Sequence, residues 1–224
     1  MKEVNERRDD VVVYPNDNSP QLFKNKFLEF LTKTHPAVIF IMYSIIAGFL
    51  MWYYYTEINP SWQYIVGFFF IGFFSWTLAE YLMHRWLYHK IKDATYNTGL
   101  QYLLHGIHHK HPNDPSRMVL PPVPSLIIAS IFFSLFYLIM GNYSFIFSPG
   151  FMIGYSTYMT IHYSTHIIAP PNNFFKYIWN HHNIHHYQQH DKAFGVTTPI
   201  WDFVFGTMPK KGRKTVNIIY KKTA

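Results

Sequence analysis

Cysteine is absent from the 224-residue chain. That absence excludes disulfides, cysteine zinc fingers, thiolate iron–sulfur clusters and thiolate-ligated haem. Charge is scarce: 14% of residues are Asp, Glu, Lys or Arg, whereas a soluble domain carries about a quarter. Acidic residues are fewer than basic ones, 12 against 19, giving a net charge of +7. Such a balance suits either nucleic acid or an anionic membrane surface. The chain has no G-x-G-x-x-G, and so no sign of a flavin or nicotinamide site. It also has no solenoid-length repeat and no low-complexity tract. What fills the sequence instead is hydrophobic residues (49%), aromatic residues (20%) and fourteen histidines.

A membrane-spanning helix needs about 20 mostly apolar residues. Residues 37–55 form one run without a charge, and 62–83 form a second, interrupted only by Glu80. Residues 125–140 and 145–161 form two shorter runs that their flanks can extend. Six Lys and Arg precede the first run, five lie between the second and third, and eight follow the fourth, which accounts for all 19. The loops at 56–61 and 141–144 have none. Four crossings therefore place every basic residue on one face, which the positive-inside rule makes cytoplasmic. Trp52, Tyr53, Tyr54, Tyr55 and Trp62 supply an aromatic belt at the other face. The +7 is thus topology, and nucleic acid is not an expected partner. No signal peptide is expected before the first run. Gly150 and Gly154 are spaced as GxxxG, read as close helix packing.

The expected fold is an all-α integral membrane protein of four transmembrane helices. A cytoplasmic helical cap would carry a histidine-ligated di-metal site. Residues 1–36 form a flexible or surface-lying arm, 37–209 the membrane-embedded domain and 210–224 a basic tail.

His35 apart, the histidines fall into four groups: HRWLYH, HGIHHKH, HYSTH and HHNIHHYQQH. All four lie on the face that Lys and Arg mark as cytoplasmic. Residues three and four apart share a helix face. His105 with His108 and His109, and His182 with His185 and His186, form such triplets, and His162 and His166 form a pair. His84 and His89, five apart, share a face less directly, so a frayed or bent helix is expected between them. Neutral imidazole suits iron, zinc and copper. Ten candidates on one face exceed what one ion takes, which suggests two metals. His111, His181 and His190 are read as outer residues around the ligands or as solvated. HYSTH lacks the glutamate of a zinc protease helix. A membrane cytochrome would place paired histidines within its spans. Glu80, one turn before His84, is expected to accept a hydrogen bond from a ligating histidine. Asp114 and Arg117 are candidate contacts for a substrate headgroup, or pair with each other or with phosphate.

This pattern resembles the fatty acid hydroxylase and sterol desaturase superfamily over residues 62–208. LLHGIHHKHPNDPSRMVLPP (103–122), AFGVTTPIWDFVFGTMP (193–209) and EYLMHRWLYH (80–89) look like its fatty acid 2-hydroxylase branch. The resemblance implies the ligand set His84, His89, His105, His108, His109, His162, His166, His182, His185 and His186. It also implies two iron ions, which zinc can replace in isolated material, with O2 as co-substrate. His35-Pro36 and His111-Pro112 are not followed by Gly-Gly, so no fused cytochrome b5 domain is expected. Electrons would then come from a separate cytochrome b5 or ferredoxin-type donor.

The implied reaction is oxidation of C2 of a fatty acyl chain, of a sphingolipid, ceramide or free fatty acid. Ligands at helix ends lie level with lipid headgroups, where C2 reaches them without a deep bent tunnel. The apolar spans would form the tail slot, with aromatic residues limiting its length. A sterol C4-methyl lies at the same depth, so sterol-type oxidation is the enzymatic alternative. A histidine-rich metal store or transporter is the non-enzymatic one, although a transporter would want ligands partway through the bilayer. A bacterial inner membrane is favoured over the endoplasmic reticulum, despite the Lys221-Lys222 ending.

Overall fold

Charge-free runs of this length fold as helices because, without water, backbone polar groups must bond within their own segment. The computed structural model describes residues 10–13, 19–58, 60–89, 101–210 and 217–220. Asn59 and the Lys221-Lys222 ending lie outside them. A short helix α1 (Lys26–Phe30) starts where the Asn25 side chain accepts from Phe27 and Leu28 N–H. The long helices are α2 (Pro36–Ile58), α3 (Trp62–Leu82), α5 (Pro122–Met140) and α6 (Ser144–Ile167). Between α3 and α5 lies α4 (Ile107–Lys110); after α6 come α7 (Lys176–Tyr187) and α8 (Ile200–Val204). Helices α2, α5 and α6 extend one to six residues beyond the apolar runs that announced them, and α3 begins with its run at Trp62.

Among the described residues, three stretches are long and apolar enough to cross a membrane: Pro36–Ile58, Trp62–Tyr88 and Pro122–Ile167. The third contains both α5 and α6, which fold back on each other at Gly141, whose φ of 55° suits glycine. Phe132 meets Phe151 at 5.0 Å, and Phe136 meets Phe147 at 4.7 Å. The outward faces carry bare apolar side chains, including Ile45, Phe74, Ile131 and Leu138, as a lipid-facing surface requires. Of the expected belt, Trp52, Tyr53, Tyr55 and Trp62 are exposed, whereas Tyr54 is buried.

Helix α6 is central and packs against α2, α3 and α5. Tyr43 meets Tyr155 and Tyr53 meets Phe145, so α2 runs antiparallel to it. Phe68 stacks on Tyr143 and Trp76 packs on Tyr158, so α3 runs parallel to it. The C-terminal ends of α3 and α6 therefore share one end of the bundle with the N-terminal ends of α2 and α5. The segments carrying the remaining histidines start and finish at that same end. Small residues permit the α3–α6 approach. A methyl on Gly150 would overlap the Phe69 carbonyl oxygen, and one on Gly154 would lie 2.7 Å from Trp76 Cβ.

Among the described residues the regular structure is helical except for one feature. Residues Asp10–Val13 pair in parallel with Asn217–Tyr220, Asp10 opposite Asn217. The bundle is all-α as expected, and this two-strand ladder is an addition to it that four residues within a polar arm or a basic tail are too short to announce. The 19–34 part of the arm is docked, with Thr34 N–H donating to the Ser116 carbonyl at 2.9 Å.

Replacing Gly150 by leucine forces α3 and α6 apart, and overpacking of this kind costs about 1–3 kcal/mol. The expected outcome is a lower melting temperature of the detergent-solubilised protein. Gly48→Leu, at a position with nothing within 4 Å of the added Cβ, leaves it unchanged.

Candidate metal centre

The histidines arrive on four pieces of backbone. α3 does not fray at its end but continues as a π-helix, Met83–Tyr88. A π turn bonds i to i+5, which returns His84 and His89 to one side. The expectation of a frayed or bent helix is corrected on this point. A second π turn, Tyr102–Gly106, leads into α4 and brings His105 onto the His109 side. His162 and His166 are one turn apart on α6, and α7 carries His182, His185 and His186.

The ten histidines converge as two sets of five. One is His84, His89, His105, His109 and His185; the other is His108, His162, His166, His182 and His186. In each set, nitrogens from all five rings lie within 4.8 Å of one another. Neither triplet stays together. Each gives its i, i+4 pair to one set and its remaining histidine to the other, so the two sets interlock. The His109 ring stacks on that of His186 at 4.2 Å between centroids.

The first set makes a chain of close Nε2–Nε2 approaches. His84–His105, His105–His109 and His109–His89 are each 3.0 Å, and His89–His185 is 3.1 Å. His84 Nδ1–H donates to the Phe194 carbonyl at 2.6 Å, and His185 Nδ1–H to the Lys192 carbonyl at 2.7 Å. A carbonyl only accepts, so both rings carry hydrogen on Nδ1 and aim a bare Nε2 lone pair inward. An Nε2 has one in-plane site, yet His105, His109 and His89 each face two neighbours with it. A hydrogen-bond chain cannot be drawn through such atoms. A cation at the shared focus satisfies all five.

The spacing fits that reading. Nitrogens about 2.1 Å from a metal and at right angles lie about 3.0 Å apart, against about 3.4 Å for a tetrahedral pair. In the second set, His108–His186 is 3.2 Å and His166–His182 is 2.8 Å, and His162 Nε2 is buried without a hydrogen-bond partner among the described residues. Burial, and then the neighbouring imidazoles, push His105, His108, His109, His182, His185 and His186 well below the ordinary histidine range. Those rings are neutral at physiological pH and their lone pairs are available.

Around the sets, one carboxylate escaped the sequence reading. Asp202, fully buried, accepts from Phe194 N–H at 2.9 Å, Gly195 N–H at 2.8 Å, Thr207 Oγ1 at 2.7 Å and His181 Nε2 at 2.9 Å. It thereby fixes the turn whose Phe194 carbonyl holds His84. His181, next to His182 on α7, is in neither set and donates to Asp202 instead. Glu80 behaves differently from expectation. Its carboxylate accepts from Val196 N–H at 2.6 Å, Thr197 N–H at 3.0 Å and Thr197 Oγ1 at 2.6 Å, not from a histidine of either set. It pins the same loop to α3 from the other side.

Asp114 and Arg117 are also corrected. Both are buried. Asp114 accepts from Ser19 and Ser116, while Arg117 donates to Ser19, the Pro20 carbonyl, Thr32 and Glu29. Their side chains hold the arm in place, and they bond to it rather than to each other. His190 is exposed with its ring 5.8 Å from that of His109. His35 caps α2, its Nδ1 accepting from Ala37 N–H at 3.2 Å.

A cavity of about 440 Å³ runs among the long helices beside the sets, lined by Tyr43, Trp76, Tyr88, Phe132, Phe136 and Phe151 among others. Tyr88, at its histidine end, stacks on His105 with centroids 5.0 Å apart.

The family model for fatty acid hydroxylase matches residues 69–207, from within α3 through α8. The chain belongs to the fatty acid hydroxylase family. It is 34% identical over 203 residues to the dihydroceramide fatty acyl 2-hydroxylase FAH2 of Arabidopsis thaliana, covering 85% of this chain and 80% of that one. The fatty acid 2-hydroxylase of Macaca fascicularis is 32% identical over 231 residues, covering 92% of this chain and 61% of that protein. The ceramide very long chain fatty acid hydroxylase scs7 of Schizosaccharomyces pombe is 37% identical over 200 residues, covering 87% and 56%. Among solved structures, full-length scs7p, in which the hydroxylase domain is visible, matches with a TM-score of 0.73 and 31% identity, covering 84% of this chain and 72% of that one. The hydroxylase fold is therefore shared, while the macaque and fission-yeast proteins are longer.

Asp202→Asn puts an amide N–H against at least one donor. Losing a carboxylate that orients a histidine carrier typically weakens metal retention about 10–100-fold. Competition with a chelator should show that loss in Asp202→Asn and none in His190→Ala. Unchanged retention in Asp202→Asn would contradict the role. Burial alone would raise the Asp202 pKa, but its hydrogen bonds win and hold it below the ordinary range. Its stabilisation is accordingly present at neutral pH and lost as pH falls through that lowered value.

Proposed function

We propose that the chain is a membrane oxygenase that hydroxylates C2 of a fatty acyl chain. The observation that carries this is two interlocked sets of five imidazole nitrogens beside an apolar cavity, in a chain of this family. The ten histidines are the proposed ligands, five to each of two iron ions, with zinc able to occupy the same donors. Iron bound there would supply the reduction of O2 and the oxidation of the C–H bond. The balance is acyl C–H, O2, two electrons and two protons giving acyl C–OH and water. A separate donor of cytochrome b5 or ferredoxin type would deliver the electrons.

The protein's own residues do the positioning. The carbonyls of Phe194 and Lys192 fix the tautomers of His84 and His185. Asp202 and Glu80 fix the loop that presents the Phe194 carbonyl. Seven of the ten rings are buried and His89, His109 and His166 are partly so, which limits the access of bulk water. The long helices hold the tail, and Tyr88 meets it at the histidine end. α2, α3, α5 and α6 are read as four crossings, with the histidine end facing the cytoplasm where Lys and Arg collect. That depth suits C2, which lies next to the carbonyl at headgroup level.

Support for the acyl over the sterol reading comes from the relatives, whose names specify acyl chains. Those relatives are eukaryotic and give a bacterial inner membrane no support. A metal store has no use for a tail cavity beside its ions.

Expression in a host that lacks 2-hydroxy acids, followed by lipid mass spectrometry, should show one added oxygen at C2 of acyl chains. Altered sterols with unchanged acyl chains would overturn the reading. His185→Ala should insert into the membrane normally and lose at least about 100-fold in product, as loss of a ligand demands.

A further inference from the structure

A second cavity, of about 780 Å³, lies under the N-terminal segment. One wall is Leu22, Phe23, Leu31 and Thr32; the opposite wall is formed by residues 103–108 and 117–124. It opens directly onto His105 and His108, one histidine from each set. Leu120 lines both this cavity and the apolar one among the long helices. The two spaces thus adjoin at one side chain, the second at His105 and His108 and the first at Tyr88, which stacks on His105. Within α5, Ser125 and Phe136 mark the near and far parts of the apolar cavity. At 1.5 Å per residue they are about 16 Å apart along the helix.

The wall is built to stay in place. Glu29 accepts from Leu22 N–H at 2.9 Å and Phe23 N–H at 3.1 Å, and also receives Arg117. The donors of Arg117 go to Glu29, Ser19, Pro20 and Thr32, so the cavity presents a guanidinium that is already satisfied. A ligand part that fits here is uncharged and hydrogen-bonding, such as an amide or hydroxyl, in otherwise apolar surroundings. α1, just outside, exposes Phe27 (67%) and Phe30 (71%) beside Lys24, Lys26 and Lys33. Exposed rings flanked by lysines suit the headgroup layer of a bilayer, so the cavity wall sits where a lipid would enter. This segment precedes the residues that the family model matches, 69–207.

We propose that residues 20–32 form part of the substrate site. The cavity beneath them holds the polar end of the acyl lipid, with Phe23 and Leu31 in contact with it. Leu120 marks the threshold over which the acyl chain passes into the apolar cavity. This rests on the acyl-hydroxylase reading above.

Two photoreactive probes test it on the full chain in detergent: an amide-linked acyl lipid with a diazirine at the polar end, and one with it at the tail terminus. The polar-end probe should label 20–32 or 103–124, and the tail probe should label α5 or α6, both competed by unlabelled lipid. A polar-end probe that labels 197–201 instead, beside a groove of about 1020 Å³ between α3, α6 and that loop, overturns the proposal. Labelling at 20–32 that unlabelled lipid does not compete overturns it too. Phe23→Ala should raise KM about tenfold, the scale of one lost apolar contact, and by more than it changes kcat. Phe74→Ala, on the groove, should leave KM unaltered, and a tenfold KM rise there with none in Phe23→Ala contradicts the assignment. A wild-type protein that hydroxylates no acyl lipid defeats the functional reading, whereas an active protein labelled elsewhere defeats this inference alone.

Discussion

An imidazole nitrogen has one in-plane site, filled by a hydrogen or by a lone pair, and the structure turns on that limit. Five such nitrogens packed within 4.8 Å cannot satisfy one another, because most face two neighbours at once. Left without a partner, each buried polar atom costs about 1–3 kcal/mol. Proteins do not retain several of these in one place unless something shared meets them, and a cation in each set would do so. The surrounding structure serves that arrangement. Glycines bring α3 and α6 together, π turns aim the histidines, and Asp202 and Glu80 tie down the loop whose carbonyl fixes His84.

The interlocking of the sets follows from helix geometry. Residues i and i+4 point nearly the same way, while i+3 points to the other side of that direction. In α4 with its preceding π turn, and again in α7, the i, i+4 pair enters one set and the remaining histidine enters the other. Each of these short segments thus contributes to both foci. Mechanical coupling between the foci is the physical consequence: displacing α7 moves ligands of both. The stacked His109 and His186 rings, 4.2 Å apart, lie at that boundary.

Much of this was legible in the sequence, and the failures have a common cause. The apolar runs and the placement of Lys and Arg announced helices sharing one histidine-bearing end, and ring spacing singled out the ten histidines that the structure gathers. Spacing did not show the split of each triplet, because it assigns residues to a face and not to a focus. Nor did it show the π turn after Leu82; a 3.6-residue period has no way to place residues five apart on one side. Asp202 went unseen within a motif read as a whole. Glu80, Asp114 and Arg117 were given neighbours close by, a histidine or a headgroup. Apart from Ser116, which bonds Asp114 locally, their side-chain partners instead come from 85 or more positions away in sequence, on the 193–207 loop and the 19–34 arm. Local pattern cannot reach such contacts.

The central claim is two metal sites with the histidines divided as the structure divides them. The most direct measurement is metal content per chain in protein purified from membranes, for the wild type and two double variants. The account predicts about two ions in the wild type, five nitrogens to each. It predicts about one in His105→Ala/His109→Ala and about one in His162→Ala/His166→Ala, since each pair belongs to a single set. One ion in fully active wild-type protein, or a double variant that keeps both, would contradict it.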